Sequence, residues 1–260
     1  MGQNGSQDSG NKTRADGRSS DALRPVAIET GVQRFPEGSV LYACGGTKVL
    51  ISASIEDRVR DFLRGTGNGW VSAEYQMHPR SNPERQRREG RNGKIGGRTQ
   101  EIQRLISRSL RAAVRLDMLG ERNITIDCDV LDADGGTRTA SVTGGYIALV
   151  MALESLRRKG LVKPGVLREN VAAVSVGLVD DRTLLDLCYT EDAAAQVDLN
   201  LVATASGALV EVQGTAEGVP MRREQHDSLV DSAMAGVADL CNIQNTALKA
   251  ADIDVARLLG

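Results

Sequence analysis

The stretch Asn123-Ile124-Thr125-Ile126-Asp127-Cys128-Asp129-Val130-Leu131-Asp132-Ala133-Asp134-Gly135-Gly136-Thr137-Arg138-Thr139-Ala140-Ser141 decides how this chain is built. Ile124, Ile126, Cys128 and Val130 alternate with Thr125, Asp127 and Asp129, the period-two signature of a half-buried strand. A turn with two glycines follows, and then a helix from about Ala140 to Lys159 whose body carries no charge except Glu154 until Arg157. A strand that hands over to a helix through glycines aims backbone N–H groups and the positive end of the helix dipole at one place, where an anion belongs. Thr137, Thr139 and Ser141 offer hydroxyls there, and Arg138 adds a fork able to grip phosphate with two hydrogen bonds. The P-loop spacing and its lysine are absent, and an ordinary capped helix start reads the same residues as well.

Upstream, Val26 to Phe35 and Ser39 to Ile55 read as strands, the second folding back at Cys44-Gly45-Gly46. Asp61 to Arg98 has no sustained period, is rich in Gly and Arg and contains Pro79 and Pro83, so most of it is expected as an exposed loop. From Thr99 the positions Ile102, Leu105, Ile106, Leu110, Ala113 and Val114 mark an amphipathic helix with Arg104, Arg108, Arg111 and Arg115 on a second stripe. Downstream, Val171 to Val179, Leu184 to Tyr189, Val197 to Ala203 and Leu209 to Gln213 are strand candidates, and a final helix runs from about Arg223 to Lys249. The expected fold is α+β with two similar lobes: a polar tail over 1–13, a first lobe over 14–164 and a second over 165–260.

Gly96-Gly97-Arg98-Thr99 makes a second glycine-led helix start, so two guanidinia, Arg98 and Arg138, could converge on one free phosphate. A second cluster, Asp186, Glu191, Asp192 and Asp198, lies in an apolar surrounding where a carboxylate needs a cation or hydrogen bonds. Magnesium takes one or two protein carboxylates and completes its shell with water and phosphate oxygens, which suits a pair such as Asp192 and Asp198. The polar face of an exposed hairpin would show the same acids.

Charge points the same way. The chain is nearly neutral at -2, yet Arg80 to Arg111 holds ten bases against three acids, and such a patch attracts phosphates unless it is merely a solvated run. With only 3% aromatic residues, a platform that stacks successive bases is disfavoured. Four scattered cysteines and two histidines, His78 and His226, argue against a structural zinc site, a disulfide framework and a nucleophile triad. Cys44, Cys128 and Cys188 are expected as buried free thiols in a reducing compartment, and Trp70 as core or interface packing. No run of about 18 consecutive apolar residues occurs, so a cytoplasmic protein with no membrane partner is expected.

Taken together, Gly96 to Ile106, Asp127-Cys128-Asp129-Val130, Ala133 to Ser141 and Val212-Gln213-Gly214-Thr215-Ala216-Glu217-Gly218 resemble the ribonuclease PH family. Asp16-Gly17-Arg18, Leu63-Arg64-Gly65, Gly69-Trp70, Ala73 to Met77 and Glu191-Asp192 with Val197-Asp198 add to the likeness, which runs from about Arg14 to Gln244. The resemblance implies a phosphate-dependent 3′–5′ exoribonuclease, a nucleotidyltransferase that trims transfer RNA precursors and acts in ribosomal RNA processing, releasing nucleoside diphosphates reversibly. It implies a two-lobed ribonuclease PH fold whose first lobe is similar to ribosomal protein S5 domain 2, assembled as a homohexamer, a trimer of dimers. By motif position, Arg98, Gly136, Thr137 and Arg138 would hold inorganic phosphate, and Asp192 and Asp198 would be the catalytic acids binding Mg2+ or Mn2+. Arg80, Arg85 and Arg88 would contact transfer RNA. The alternative is a catalytically silent RNA-binding ring subunit, which tends to lose those arginines or acids. Two departures stand out: Ser107 replaces a common Gly, and Asp132 replaces Gln beside the phosphate turn, where it could weaken anion binding or pair with an Arg.

Overall fold

A computed structural model describes residues 14–260; the tail expected over 1–13 lies outside the described residues. Strands β1 (Val26–Thr30), β2 (Gly38–Cys44), β3 (Thr47–Glu56), β4 (Trp70–Met77) and β5 (Asn123–Asp132) form one sheet in the order β1-β2-β3-β5-β4. The β2–β3 hairpin closes at Gly45, whose φ of 54° is costly for an L side chain. β4 corrects the expectation of an exposed loop from Asp61 to Arg98. Val71, Ala73 and Tyr75 point into the core from the middle of that segment, and the strand pairs in parallel with β5. Its alternation is confined to eight residues, with Gly65, Gly67 and Gly69 before it and an Arg-rich run with Pro79 and Pro83 after it, so the composition of the whole stretch reads as loop.

Helix α1 (Gly97–Ala113) and the short α2 (Leu116–Leu119) cross from β4 to β5. Ile102, Leu105, Ile106 and Leu110 bury the apolar face of α1, while Arg111 lays its guanidinium over the ring of Trp70 at 4.4 Å. Ser107 ties the helix to the sheet. Its Oγ accepts a hydrogen bond from the backbone N–H of Ala73 at 2.8 Å, satisfying a donor on the edge strand β4.

Helix α3 (Thr137–Arg158) is the axle of the molecule. It is buried on nearly every side, packing on β2, β3 and β5 and on β6 (Val171–Val179) of the other lobe. Gly144 makes the close approach possible, since a Cβ there would meet Ile51 Cδ1 at 2.5 Å. α3 is long and apolar enough to cross a membrane, yet 89% of that window is buried inside the fold, as a core helix requires.

The second sheet adds β7 (Arg182–Leu185), β8 (Val197–Thr204) and β9 (Leu209–Ala216) to β6, all antiparallel, in the order β7-β6-β8-β9. The strand expected from Leu184 to Tyr189 ends at Leu185. Asp186 takes a left-handed φ of 53° that no ladder continues, and the chain turns into the single-turn helix α4 (Tyr189–Asp192). Helix α5 (Arg223–Ala250) covers the second sheet with Leu229, Ala233, Val237 and Leu240.

Candidate functional site

Gly135 and Gly136 both have left-handed backbones, φ 74° and 65°. A Cβ on Gly135 would lie 2.6 Å from the Leu187 carbonyl oxygen and 2.9 Å from the Tyr189 amide nitrogen, so the turn presses directly on the segment leading into α4. Tyr189 N–H also donates to Asp134 Oδ1 at 3.2 Å, and Thr47 Oγ1 donates to the Gly135 carbonyl at 2.6 Å. Helix α3 starts at Thr137 rather than near Ala140, and its N-cap, Gly136, supplies no side-chain acceptor. The first-turn N–H groups therefore stay open on the cleft side.

The hydroxyls behave differently from the expectation. Thr137 Oγ1 is engaged with Tyr75 OH at 2.9 Å, which pins the helix start to β4. Thr139 Oγ1 donates to the Gly136 carbonyl and Ser141 Oγ to the Thr137 carbonyl, and both side chains are buried. Short hydroxyls close to a helix start bond to nearby backbone first, so the turn offers an anion amides and arginine rather than hydroxyls.

Arg98 falls within the first turn of α1, not before it, and is exposed. Arg98 and Arg138, with Gly135, Gly136 and Thr137, line one cleft of about 480 Å³ that also contains Asp192, Asp198, Asn200 and Ser175. The arginines and two of the four acids are thus brought together. Burial first, and then the charge of Asp192, pushes the Asp198 carboxyl above the usual aspartate range, with Arg138 pulling the other way. Asp198 therefore feels the second acid and the arginine at once.

The other two acids are not metal ligands in waiting. Asp186 is buried, 3% exposed, and takes Arg24 Nε and Nη2 at 3.0 and 2.7 Å. Glu191 takes Arg14 Nε and Nη2 at 2.7 and 2.5 Å. Asp132 does not meet the phosphate turn or an arginine: it is exposed and faces Lys48 at 3.7 Å across the ladder. Arg80, Arg85 and Arg88 are exposed on the loop before α1 and do not line the cleft, whereas Arg87 does, with Asn82 and Gln86. Neither His78 nor His226 borders the cleft. Cys44, Cys128 and Cys241 are buried free thiols, while Cys188 is only half-buried because it belongs to the turn before α4 and not to a strand.

Arg87 and Asn200 were not singled out from the sequence, and Gln213 entered only as part of the family-like motif Val212 to Gly218, with no role of its own. Arg87 was one base in a run, and Asn200 sits at an ordinary alternating strand position.

Comparison with known proteins bears on this cleft. The model of the 3′ exoribonuclease family matches as domain 1 over residues 22–153 and as domain 2 over 169–236. Ribonuclease PH of Crocosphaera subtropica is 54% identical over 238 residues, covering 92% of this chain and 98% of that protein. The chain belongs to the ribonuclease PH family. Ribonuclease PH of Moorella thermoacetica is 53% identical over 235 residues, 90% of this chain and 94% of that one. Among solved structures, rice (Oryza sativa) Rrp46 shares the fold with a TM-score of 0.73 at 19% identity, covering 90% of this chain and 100% of that chain. A chain of the Archaeoglobus fulgidus exosome with RNA bound to the active site gives 0.75 at 22%, covering 89% and 92%. As a member of the family the chain acts on RNA and is a phosphorolytic 3′–5′ exoribonuclease, a nucleotidyltransferase; the silent-subunit alternative is not favoured.

Proposed function

We propose that the cleft between the lobes removes nucleotides from transfer RNA precursor 3′ ends, with Arg98, Arg138 and the amides at Gly136 and Thr137 holding orthophosphate. The observation that carries this reading is the sharing of one cleft by both arginines, the uncapped start of α3 and the two aspartates. An orthophosphate oxygen attacks the terminal phosphodiester phosphorus. The bond to the preceding 3′ oxygen breaks, that oxygen ends with the proton given up by the attacking hydrogen phosphate, and the last nucleotide leaves as a nucleoside diphosphate. Two guanidinia and a helix start orient the attacking anion and offset its charge, and this is mainly positioning and electrostatic catalysis.

Asp192 and Asp198 fit a divalent cation, because two carboxylates that repel each other in a half-buried place gain from a shared positive charge. They would hold Mg2+, or Mn2+, with water and substrate phosphate completing the shell. Bound there, the ion would supply Lewis-acid stabilisation of charge on the scissile phosphate. Asp198 and Asp192 would present oxygens to it, and the charge of Arg138 favours the ionised form of Asp198.

The same reading places the protein in the cytoplasm as a homohexamer, gives the exposed Arg80, Arg85 and Arg88 the body of the transfer RNA, and sets the lobe boundary near 164–165. The test is a short RNA incubated with and without phosphate and scored for nucleoside diphosphates. Phosphate-dependent diphosphate release is expected from the wild type and loss of it from Asp198→Asn. Nucleoside monophosphates released without phosphate, or wild-type turnover by Asp198→Asn, would overturn the assignment.

A further inference from the structure

The motif Val212 to Gly218 plays no part in the arrangement so far, although it lies on the strand beside Asp198. Gln213 of β9 faces Asn200 of β8, and Thr215 faces Asp198. Gln213 Oε1 accepts a hydrogen bond from Arg138 Nη1 at 3.1 Å. Its Nε2 donates to Glu101 Oε1 at 3.0 Å and to Glu211 Oε1 at 3.1 Å. With a cation on one side of the amide and two carboxylates on the other, only this orientation is favourable. Glu211 is itself gripped by Arg108 through two bonds of 2.7 Å. Glu101 lies on α1, one turn beyond Arg98, so a single amide joins both arginine-bearing helix starts to the strand next to Asp198.

We propose that Gln213 is a positioning residue for orthophosphate: it aims Arg138 into the cleft and occupies the Glu101 carboxylate that would otherwise capture the same guanidinium. The inference rests on reading Arg138 as a phosphate ligand. The distances favour it. Glu101 Oε1 stands 3.5 Å from Arg138 Nη1, looser than the amide contact at 3.1 Å, because one N–H of the amide already donates to that oxygen. Among the described residues, Nη1 is the only nitrogen of Arg138 with a protein acceptor, leaving Nε and Nη2 for the two oxygens of a bidentate anion. Without the amide, Glu101 is the nearest anion, and a closed Arg138–Glu101 pair competes directly with phosphate.

The experiment varies orthophosphate in phosphorolysis of a short RNA by the full-length protein. Gln213→Ala is expected to raise the phosphate KM about tenfold, the size of one hydrogen bond to a charged group, with kcat and the RNA KM within about twofold of wild type. Gln213→Glu keeps the shape but adds a third carboxylate. Its phosphate KM should exceed that of Gln213→Ala near neutral pH and recover relative to wild type between about pH 7.5 and 5.5, because a protonated carboxyl accepts and donates as the amide does. Gln213→Ala should show no such recovery. Arg138→Ala is run beside them: an unchanged phosphate KM there overturns the assignment of Arg138 itself. A raised phosphate KM in Arg138→Ala with an unchanged one in Gln213→Ala overturns the role of Gln213 alone, as does a fall in kcat only, without pH-dependent recovery in Gln213→Glu.

Discussion

Arg24 and Asp186 belong to opposite lobes and meet in the interior, with Arg24 Nη2 at 2.7 Å from Asp186 Oδ1. The backbone N–H of Arg24 donates to the same carboxylate at 2.8 Å, and Arg24 Nη1 donates to the Asp134 carbonyl at 2.6 Å. One guanidinium thus fastens the glycine turn on one side and the approach to α4 on the other. Asp186→Asn keeps a residue that tolerates the left-handed backbone but strands a buried arginine, and is expected to cost about 3–5 kcal/mol in urea unfolding. A change under about 1 kcal/mol would mean the pair does not hold the lobes together.

Acid should find the same pair. Burial raises the Asp186 carboxyl, but the hydrogen bonds and charge of Arg24 outweigh it and hold the group below the usual aspartate range. Glu191 follows the same pattern with Arg14. A lowered folded-state pKa contributes stability that is present above the unfolded value and lost as pH falls through the folded one. Stability measured against pH should decline below about pH 4, and Asp186→Asn should flatten that decline. An identical acid limb in the variant would remove Asp186 from the account.

How far the chain could be read before its structure depends on where each signal lives. The β5 alternation and the Gly135-Gly136 turn are local patterns, so strand, turn and helix followed from them directly, with the helix start displaced by three residues. The β2–β3 hairpin, α1, β6, β8 and α5 were legible for the same reason. β4 was not, although Val71, Ala73, Tyr75 and Met77 alternate with Ser72, Glu74 and Gln76: one short strand is masked by the Gly-, Arg- and Pro-rich composition of the long stretch that contains it. Among the acids, composition could not separate Asp186 and Glu191 from Asp192 and Asp198, because what separates them is Arg24 and Arg14, more than 160 residues earlier. Gln213 is the extreme case: its motif marked a family likeness and no role, and the role comes from its charged neighbours, two of them on other elements.

Ser107 uses both hydrogen-bonding roles of its hydroxyl to tie α1 to β4. Its Oγ donates to the Gln103 carbonyl at 2.7 Å while accepting from Ala73 N–H. Ser107→Ala would leave that buried donor unmet and is expected to lower stability by about 1–3 kcal/mol. Hydrogen exchange at the Ala73 amide should quicken; an unchanged rate would count against the bond.

Gly135 tests the seam between turn and acids. Ala at that position must place a methyl 2.6 Å from the Leu187 carbonyl and adopt φ 74°, so the turn has to retreat from α4. The expected result is a folded but weakened protein with a raised phosphate KM and at least roughly tenfold lower turnover. Full activity in Gly135→Ala would show that the contact is dispensable.

The basic loop divides into residues that line the cleft and residues that do not. Arg87 lines it, whereas Arg80, Arg85 and Arg88 are exposed beyond it. Counterion release makes the salt dependence of binding a count of phosphates neutralised, about 0.9 in slope for each duplex contact. Replacing Arg80, Arg85 and Arg88 together by Ala should therefore flatten the salt dependence of transfer RNA binding by up to ~2.7, yet leave phosphorolysis of a short oligomer near its original rate. Arg87→Ala should slow both substrates, since a short oligomer still passes that side chain. An unaltered salt slope in the triple variant would deny these three residues any phosphate contact, and an equal loss on the short oligomer would move them into the cleft's own chemistry.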